Sequence, residues 1–258
     1  MREKSLVVAF SGTSSFVQAI QDLKIWPRRY PLVMGATVHS GFWDLFEGIR
    51  VLALEAIKSG IDMVEEVIFT AHSMGGVMAY FLLLELMEEN GGGLLKGKKV
   101  RLVVFGCPRA GNDVLVGLWK TVVERWKAEG GSFEEISVRA YNDGKYTISL
   151  PIPYSLNYYL GVPSVPPRWL GYAHFASSPI YLYREKLYRI PPSQAEYTNF
   201  TVLSPPEESS DYPLGGHNYY NGRDMESLQR SMGVARESGF GGEGRWEEKF
   251  LKRIEEDG

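Results

Sequence analysis

The stretch Glu66-Val-Ile-Phe-Thr-Ala-His-Ser73-Met-Gly-Gly-Val-Met-Ala-Tyr80 decides the fold of this chain. Its first half is a continuous apolar run, which is typical of a strand buried in a parallel sheet. Its second half has the pattern of a buried helix, and a serine stands at the corner between them. Such a turn pushes the serine hydroxyl out above the sheet, and Ala71 and Gly75 must be small because the strand and helix backbones crowd there. The segment therefore predicts a nucleophile at Ser73, with a serine that merely caps a buried helix as the alternative.

The same alternation of strand and helix continues on both sides of this turn. Strand-like runs lie at 6–10, 66–71, 100–106, 136–141 and 179–183. Helical patterns lie at 41–59, 74–89 and 112–129. Apolar strands that alternate with helices of this length indicate βαβ units, and hence an α/β fold with a mostly parallel central sheet and helices on both faces.

Composition and charge limit the classes of protein to which this chain can belong. The chain has 258 residues, is 44% hydrophobic and 23% charged, and carries a net charge of -3. This balance predicts one globular domain over 1–258 and gives no basic footprint for nucleic acid. We find no apolar run long enough for a membrane span and no signal peptide. The expectation is a soluble protein, either cytoplasmic or secreted after removal of a leader, and its one cysteine, Cys107, cannot form an internal disulfide.

Further motifs follow in a fixed order along the chain. They are Phe10-Ser-Gly-Thr13, Val38-His-Ser-Gly-Phe42, Ala71-His-Ser-Met-Gly75, Val104-Phe-Gly-Cys-Pro-Arg-Ala-Gly-Asn112, Tyr172-Ala-His174 and Gly216-His217-Asn-Tyr219. Together these blocks, which run from about residue 5 to residue 222, resemble those of the class 3 lipases, the fungal-lipase-like branch of the α/β-hydrolases. The resemblance implies a serine carboxylic-ester hydrolase.

The resemblance also implies an oxyanion hole. Its donors would be Thr13 and the backbone N–H of Met74. Thr13 ends a core strand at the carboxyl edge of the sheet, where open α/β sheets place their sites. A helix that begins after Ser73 would also direct free N–H groups at a developing oxyanion. An N-cap for the next helix is the other interpretation of Thr13, and one residue can do both.

Four histidines compete for the role of general base. His72 lies inside the serine turn beside the nucleophile, and His39 and His174 stand in blocks that look structural. His217 follows the last strand in a loop with two glycines. The chain order serine, acid, histidine then matches this fold, so His217 is the predicted base.

The acid is harder to assign. In the resembled family the carboxylate stands three residues after an asparagine like Asn142, and here Lys145 occupies that position. A lysine cannot orient an imidazole, and its charge opposes the imidazolium that must form. Asp143 in the same loop is the predicted acid. Two alternatives stay open: another carboxylate such as Asp211 reaches the site, or the triad is incomplete.

Two further segments have amphipathic patterns. Residues 14–26 carry Phe16, Ile20 and Leu23 on one face. In the resembled family a helix here is a lid over the acyl site, while an amphipathic core helix fits the pattern equally well. At the other end, the tail at about 240–258 has apolar residues at helical spacing, which predicts a short helix docked by one face.

The resulting hypothesis is a lipase that hydrolyses acylglycerol-type esters through an acyl-enzyme and contacts a lipid interface transiently. No metal or cofactor is expected, because no Cys/His cluster has ligand spacing. Phospholipase, galactolipase and feruloyl-type esterase activities stay open as alternatives, as do acyl chain length and oligomeric state. A catalytically impaired scaffold that binds a lipid or protein partner is the rival motivated by Lys145.

Overall fold

The computed structural model describes residues 4–12, 26–88, 90–140, 162–183, 186–189, 192–194, 196, 219–220 and 223–224. The strands are β1 (Ser5–Phe10), β2 (Pro27–Arg29), β3 (Thr37–His39), β4 (Glu66–His72), β5 (Lys99–Phe105), β6 (Ser132–Ala140), β7 (Ile180–Tyr183), β8 (Lys186–Arg189), β9 (Tyr219–Tyr220) and β10 (Arg223–Asp224). The α-helices are α1 (Ser40–Gly60), α2 (Met74–Glu88) and α3 (Asp113–Ala128).

Six strands form the central sheet in the order β1-β4-β5-β6-β7-β8. The first four pairings are parallel, and β8 closes the series antiparallel to β7. The predicted α/β fold with a mostly parallel sheet is therefore confirmed. Because β1, β4, β5 and β6 run in the same direction, their carboxyl ends meet at one edge of the sheet.

All three described α-helices cover the same face of this sheet. The face is built from alternate residues of the strands, such as Val67 and Phe69 in β4 and Leu102 in β5, which are fully buried. They join the helices in one hydrophobic core, to which α3 contributes Trp119 and Trp126. On the opposite face, the described residues contribute Tyr220 of the β9–β10 pair and no α-helix, so the prediction of helices on both faces is met here on one of them.

A small hairpin of β2 and β3 stands beside the sheet, antiparallel and outside its hydrogen-bonding order. Asn112 fastens it: its Oδ1 accepts from Thr37 N at 3.0 Å, and its Nδ2 donates to the Gly35 carbonyl at 2.8 Å. The same Oδ1 accepts from Leu115 N and so caps α3. One side chain thus joins the hairpin to the start of a core helix.

The hairpin also leads directly into α1. The side chain of His39 caps this helix, since its Nδ1 accepts from Phe42 N at 3.2 Å. None of the α-helices in the described parts of the chain is long and apolar enough to cross a bilayer.

Candidate active site

Ser73 lies at the turn between β4 and α2, and its backbone has a φ of +59°. Within the described residues it is the one non-glycine residue in this left-handed region, which costs an L-residue about 1–2 kcal/mol. Two backbone hydrogen bonds hold it there: Ser73 N donates to the Phe105 carbonyl at 2.8 Å, and Gly76 N donates to the Ser73 carbonyl at 3.0 Å. This is the strained strand–helix corner that a nucleophile elbow requires.

The side chain of Ser73 is enclosed. The residue is 1% exposed, and its Oγ has no hydrogen-bond partner among the described residues. Buried hydroxyls ordinarily have a partner, so a buried hydroxyl without one calls for an explanation. A catalytic serine would supply that explanation, and this is the role predicted for Ser73.

Three glycines make this corner sterically feasible. A Cβ on Gly75 would lie 2.5 Å from the Phe10 carbonyl oxygen, and a Cβ on Gly12 would lie 3.0 Å from the Cβ of Ser73. A Cβ on Gly76 would lie 2.8 Å from the Cys107 sulfur. The prediction that position 75 must be small is thus explained by backbone contact with β1. Neither Gly12 nor Gly76 was predicted to have a role, although the glycine doublet that follows Met74 is visible in the sequence.

Of the two predicted oxyanion donors, Met74 lies within the described residues and Thr13 does not. Met74 is the first residue of α2, where backbone N–H groups have no acceptor within the helix. Its N–H therefore follows Ser73 at the positive end of the helix dipole. Thr13 lies outside the described residues. The residue before it, Gly12, lies so near Ser73 that a Cβ built on it would be 3.0 Å from the Cβ of Ser73.

The three histidines that looked structural make contacts suited to structure. His72 packs its ring edge-on against Tyr220, with ring centroids 5.9 Å apart. The ring of His39 stacks on Phe42 at 4.1 Å, and burial lowers its pKa to about 4. His174 is buried too, and burial followed by the charges of Arg139 and Arg109 lowers its pKa well below the ordinary value.

A partly buried ion pair between Arg109 and Glu196 holds the backbone of His174. Arg109 is 3% exposed and donates from Nε to Glu196 Oε2 at 2.9 Å, while its Nη1 donates to the Pro166 carbonyl at 3.1 Å. The other oxygen of Glu196 accepts from His174 N at 2.8 Å. Arg109 thereby ties the loop after β5 to two distant segments, a role that the family motif alone did not suggest.

The other predicted site residues lie outside the described residues: His217, Asp143, and with them Lys145 and Asp211. The same holds for residues 14–25 of the segment 14–26, whose last residue, Trp26, forms a bend before β2. Cys107, in contrast, is described and buried, and its burial raises the pKa of its thiol to about 12, so it is no second nucleophile. Within the described parts of the chain, no group of three His, Cys, Asp or Glu side chains is placed to hold a metal ion.

Comparison with known proteins agrees with this geometry. Residues 7–128 match the model of the family "Lipase (class 3)". A lipase of Rhizomucor miehei is 27% identical over 179 residues, which cover 67% of this chain and 40% of that protein. The chain therefore spans well under two thirds of the length of such relatives.

Solved structures show the same fold. The crystal structure of the lipase from Rhizopus microsporus var. chinensis matches with a TM-score of 0.64 at 22% identity, covering 88% of this chain and 68% of that one. A triacylglycerol lipase whose catalytic centre is formed by a serine protease triad matches with a TM-score of 0.52 at 24% identity, covering 69% and 57% of the two chains. The parallel sheet and its serine corner define an α/β-hydrolase. Within that class, residues 7–128 are similar to the class 3 lipases, as the motif resemblance predicted.

Proposed function

We propose that this chain is a serine carboxylic-ester hydrolase, a lipase that acts on acylglycerol-type esters through an acyl-enzyme. The observation that carries the proposal is the corner at Ser73: a positive φ in a non-glycine residue, with a buried hydroxyl that has no partner among the described residues. The match of residues 7–128 to the class 3 lipase model supports the same reaction. The rival, an inactive scaffold, has no use for a strained serine at this position.

The reaction assigns one role to each predicted residue. His217 takes the proton from Ser73 Oγ as the oxygen attacks the ester carbonyl carbon, and Asp143 orients the imidazole. The negative charge that develops on the carbonyl oxygen is held by Thr13 and by the backbone N–H of Met74. His217 then protonates the leaving alcohol, and water attacks the acyl-enzyme to release the acid and free Ser73. No metal ion or cofactor takes part.

The enclosed position of Ser73 also bears on how an ester would enter. With the residue 1% exposed, an acyl chain can reach it only after some covering group moves. A lid in segment 14–26 would account for this burial. A lid whose inner face is apolar opens most readily against another apolar surface, and transient contact with a lipid interface follows from that.

The test is a panel of p-nitrophenyl esters, assayed with the wild type and with Ser73→Ala. We expect Ser73→Ala to lose detectable hydrolysis, because loss of the nucleophile of such a triad lowers kcat by about 10⁶. The melting temperature should change by no more than a few degrees, since only one hydroxyl is removed.

Ser59→Ala is the matched control, because Ser59 is an exposed serine near the end of α1. It should retain full activity. An active Ser73→Ala protein would refute the proposal. A serine-directed phosphonate should in addition label Ser73 in the wild type and fail to label a His217→Ala variant at a comparable rate.

A further inference from the structure

The hairpin of β2 and β3 exposes apolar side chains to solvent. Its connecting residues include Leu32, which is 65% exposed, and Met34, which is 98% exposed. Trp26, immediately before β2, is exposed as well. Single exposed apolar residues are ordinary, but several at the tip of one hairpin suggest a surface that contacts something.

This tip is not a loose loop whose exposure is incidental. Behind it, Tyr30 is buried with its ring edge-on to Trp43, at a centroid distance of 5.4 Å. Tyr30 N donates to the Ala36 carbonyl at 2.9 Å, and Asn112 holds both Gly35 and Thr37. Since both ends of the connection are fastened to the core, Leu32 and Met34 are held away from it.

Further apolar side chains adjoin the tip through Asn112. Val114 is exposed in the first turn of α3, the helix that Asn112 caps. Its neighbour Asp113 pairs with Arg168 at 2.8 Å, and the residue after Arg168 is Trp169, which is 67% exposed. We name Leu32, Met34, Val114 and Trp169 the hairpin patch.

The charge beside the patch identifies the kind of partner. Residues 26–39 contain two arginines and no carboxylate. Arg28 pairs with Asp44 and Glu47, whereas Arg29 is exposed and has no ion pair among the described residues. Exposed tryptophan and aliphatic side chains flanked by a free arginine match a phospholipid surface, where apolar groups enter the acyl boundary and the cation meets phosphate.

The patch also lies at the catalytic end of the sheet. His39 N donates to the Ala110 carbonyl at 2.9 Å, and Val38 bridges to Gly111. Residues 110 and 111 follow β5, the strand whose last carbonyl accepts from Ser73 N. A lipid surface held by the patch would therefore meet the edge of the sheet on which Ser73 lies.

We propose that the hairpin patch is a lipid-surface anchor, separate from the segment 14–26, which inserts Leu32 and Met34 into the interface and directs Arg29 to lipid phosphate. The choice of lipid as the partner rests on the proposed function. The anchoring itself does not require catalysis, and the two can fail independently.

The experiment compares the double variant Leu32→Ser/Met34→Ser with the wild type in flotation with phosphatidylcholine vesicles, with and without phosphatidylglycerol. Binding of the variant should fall at least about tenfold, because burying one such side chain contributes more than the roughly 1.4 kcal/mol that corresponds to tenfold. Its hydrolysis of a water-soluble p-nitrophenyl ester should stay within about twofold of the wild type, since the patch does not contact Ser73. Arg29→Gln should weaken binding more strongly to the vesicles that contain phosphatidylglycerol, whose phosphate carries an uncompensated negative charge.

The matched control is Val51→Ser/Leu52→Ser, which removes two exposed apolar side chains from α1. It should bind vesicles like the wild type. Equal vesicle binding by the patch variant and the wild type would overturn the anchor. The anchor would also be overturned if the wild type is a dimer and the patch variant is a monomer that binds vesicles as well as the wild type does. If the wild type hydrolyses no ester and still binds vesicles through the patch, the anchor stands and the proposed function fails.

Discussion

Ser73 pairs a strained backbone with a hydroxyl that makes no hydrogen bond to the described residues. The strain persists because the Phe105 carbonyl and the Gly76 N–H both bind the Ser73 backbone, and because Gly12 approaches from the other side. Neither feature contributes to folding stability. Both are explained if the residue is held in the orientation that attack on a carbonyl requires.

Among the individual residues, Asp143, the proposed acid of the triad, is the assignment that most needs a test. If Asp143 holds His217 in the tautomer that accepts from Ser73, Asp143→Asn should lower kcat by about 10⁴. KM should change little, because the carboxylate does not contact substrate. Steady-state kinetics on a soluble ester measure both quantities. Lys145→Ala, the control in the same loop, should stay within about tenfold of the wild type.

The converse substitution separates the alternatives. Lys145→Asp restores the spacing of the resembled family, and it should raise activity substantially only if the natural triad is incomplete. Near-normal turnover in Asp143→Asn, together with a gain of about a hundredfold in Lys145→Asp, would exclude Asp143 and favour a damaged or repurposed hydrolase.

At the scale of elements, the junction of β1 with α2 depends on the absence of side chains. The first turn of α2 approaches the end of β1 so closely that a Cβ on Gly75 would meet two backbone carbonyl oxygens, those of Phe10 and Ser11. The backbone at the end of β1, a strand hydrogen-bonded to β4, cannot move aside as the tip of a side chain can. The glycine is thus required by the packing of two elements, and a flexible turn is not the reason for it.

Gly75→Ala should therefore destabilise the fold by about 3 kcal/mol, the upper part of the range for overpacking. The comparison is Gly117→Ala in the middle of α3, where a new Cβ meets no atom within 4 Å. That change should stabilise by roughly 0.5–1 kcal/mol, because alanine loses less backbone entropy than glycine in a helix. Urea denaturation of both variants measures the difference, and similar stabilities would show that the close approach is relaxed in solution.

Local pattern predicted some elements better than others. The strand β6 begins at Ser132, four residues before the predicted start at residue 136. Two consecutive glutamates interrupt the apolar pattern near its beginning. Glu134 pairs with Arg101 of the neighbouring strand, and Glu135 accepts a hydrogen bond from the Tyr80 hydroxyl on the other face of the sheet. The short strands β2, β3 and β8 were not predicted either, since three or four residues carry too little periodicity.

For the whole molecule, two buried histidines make stability depend on pH. His39 and His174 are held neutral by burial, with the pKa of His39 lowered to about 4 and that of His174 lowered well below its usual value. In the unfolded chain both would titrate near 6.5. Between these values the unfolded state binds more protons, so their contribution is complete above about pH 6.5 and is lost as the pH falls toward 4.

For His39 alone the difference corresponds to at most about 3 kcal/mol. We expect urea denaturation to show a free energy of unfolding that falls between pH 6.5 and pH 4, and a shallower fall in His39→Asn. Asparagine is a good N-cap, so α1 keeps its first hydrogen bond. Glu88 and Glu135, whose pKa values burial raises, act in the opposite sense in both proteins and cancel in the comparison. Parallel pH profiles would contradict a neutral buried His39.

The sheet also has one face with fewer described neighbours. Val7 of β1 is exposed there, and Tyr220 packs near the carboxyl ends of the strands, against Phe105. A tail helix at about 240–258 docked by its apolar face stays a prediction, as does the single domain over 1–258.

The amino-acid sequence by itself determined the order of the longer strands and helices and the strand–helix corner at Ser73, because periodicity and small residues act over a few neighbouring positions. The tertiary structure decided what depends on distant partners. Asn112 reaches Gly35 across 77 positions, and Arg109 reaches Glu196 across 87. No local pattern encodes such contacts, since each arises only when the sheet brings separate loops to one edge. The hairpin patch became visible for the same reason: its exposed side chains come from three parts of the chain, and only the folded molecule places them together.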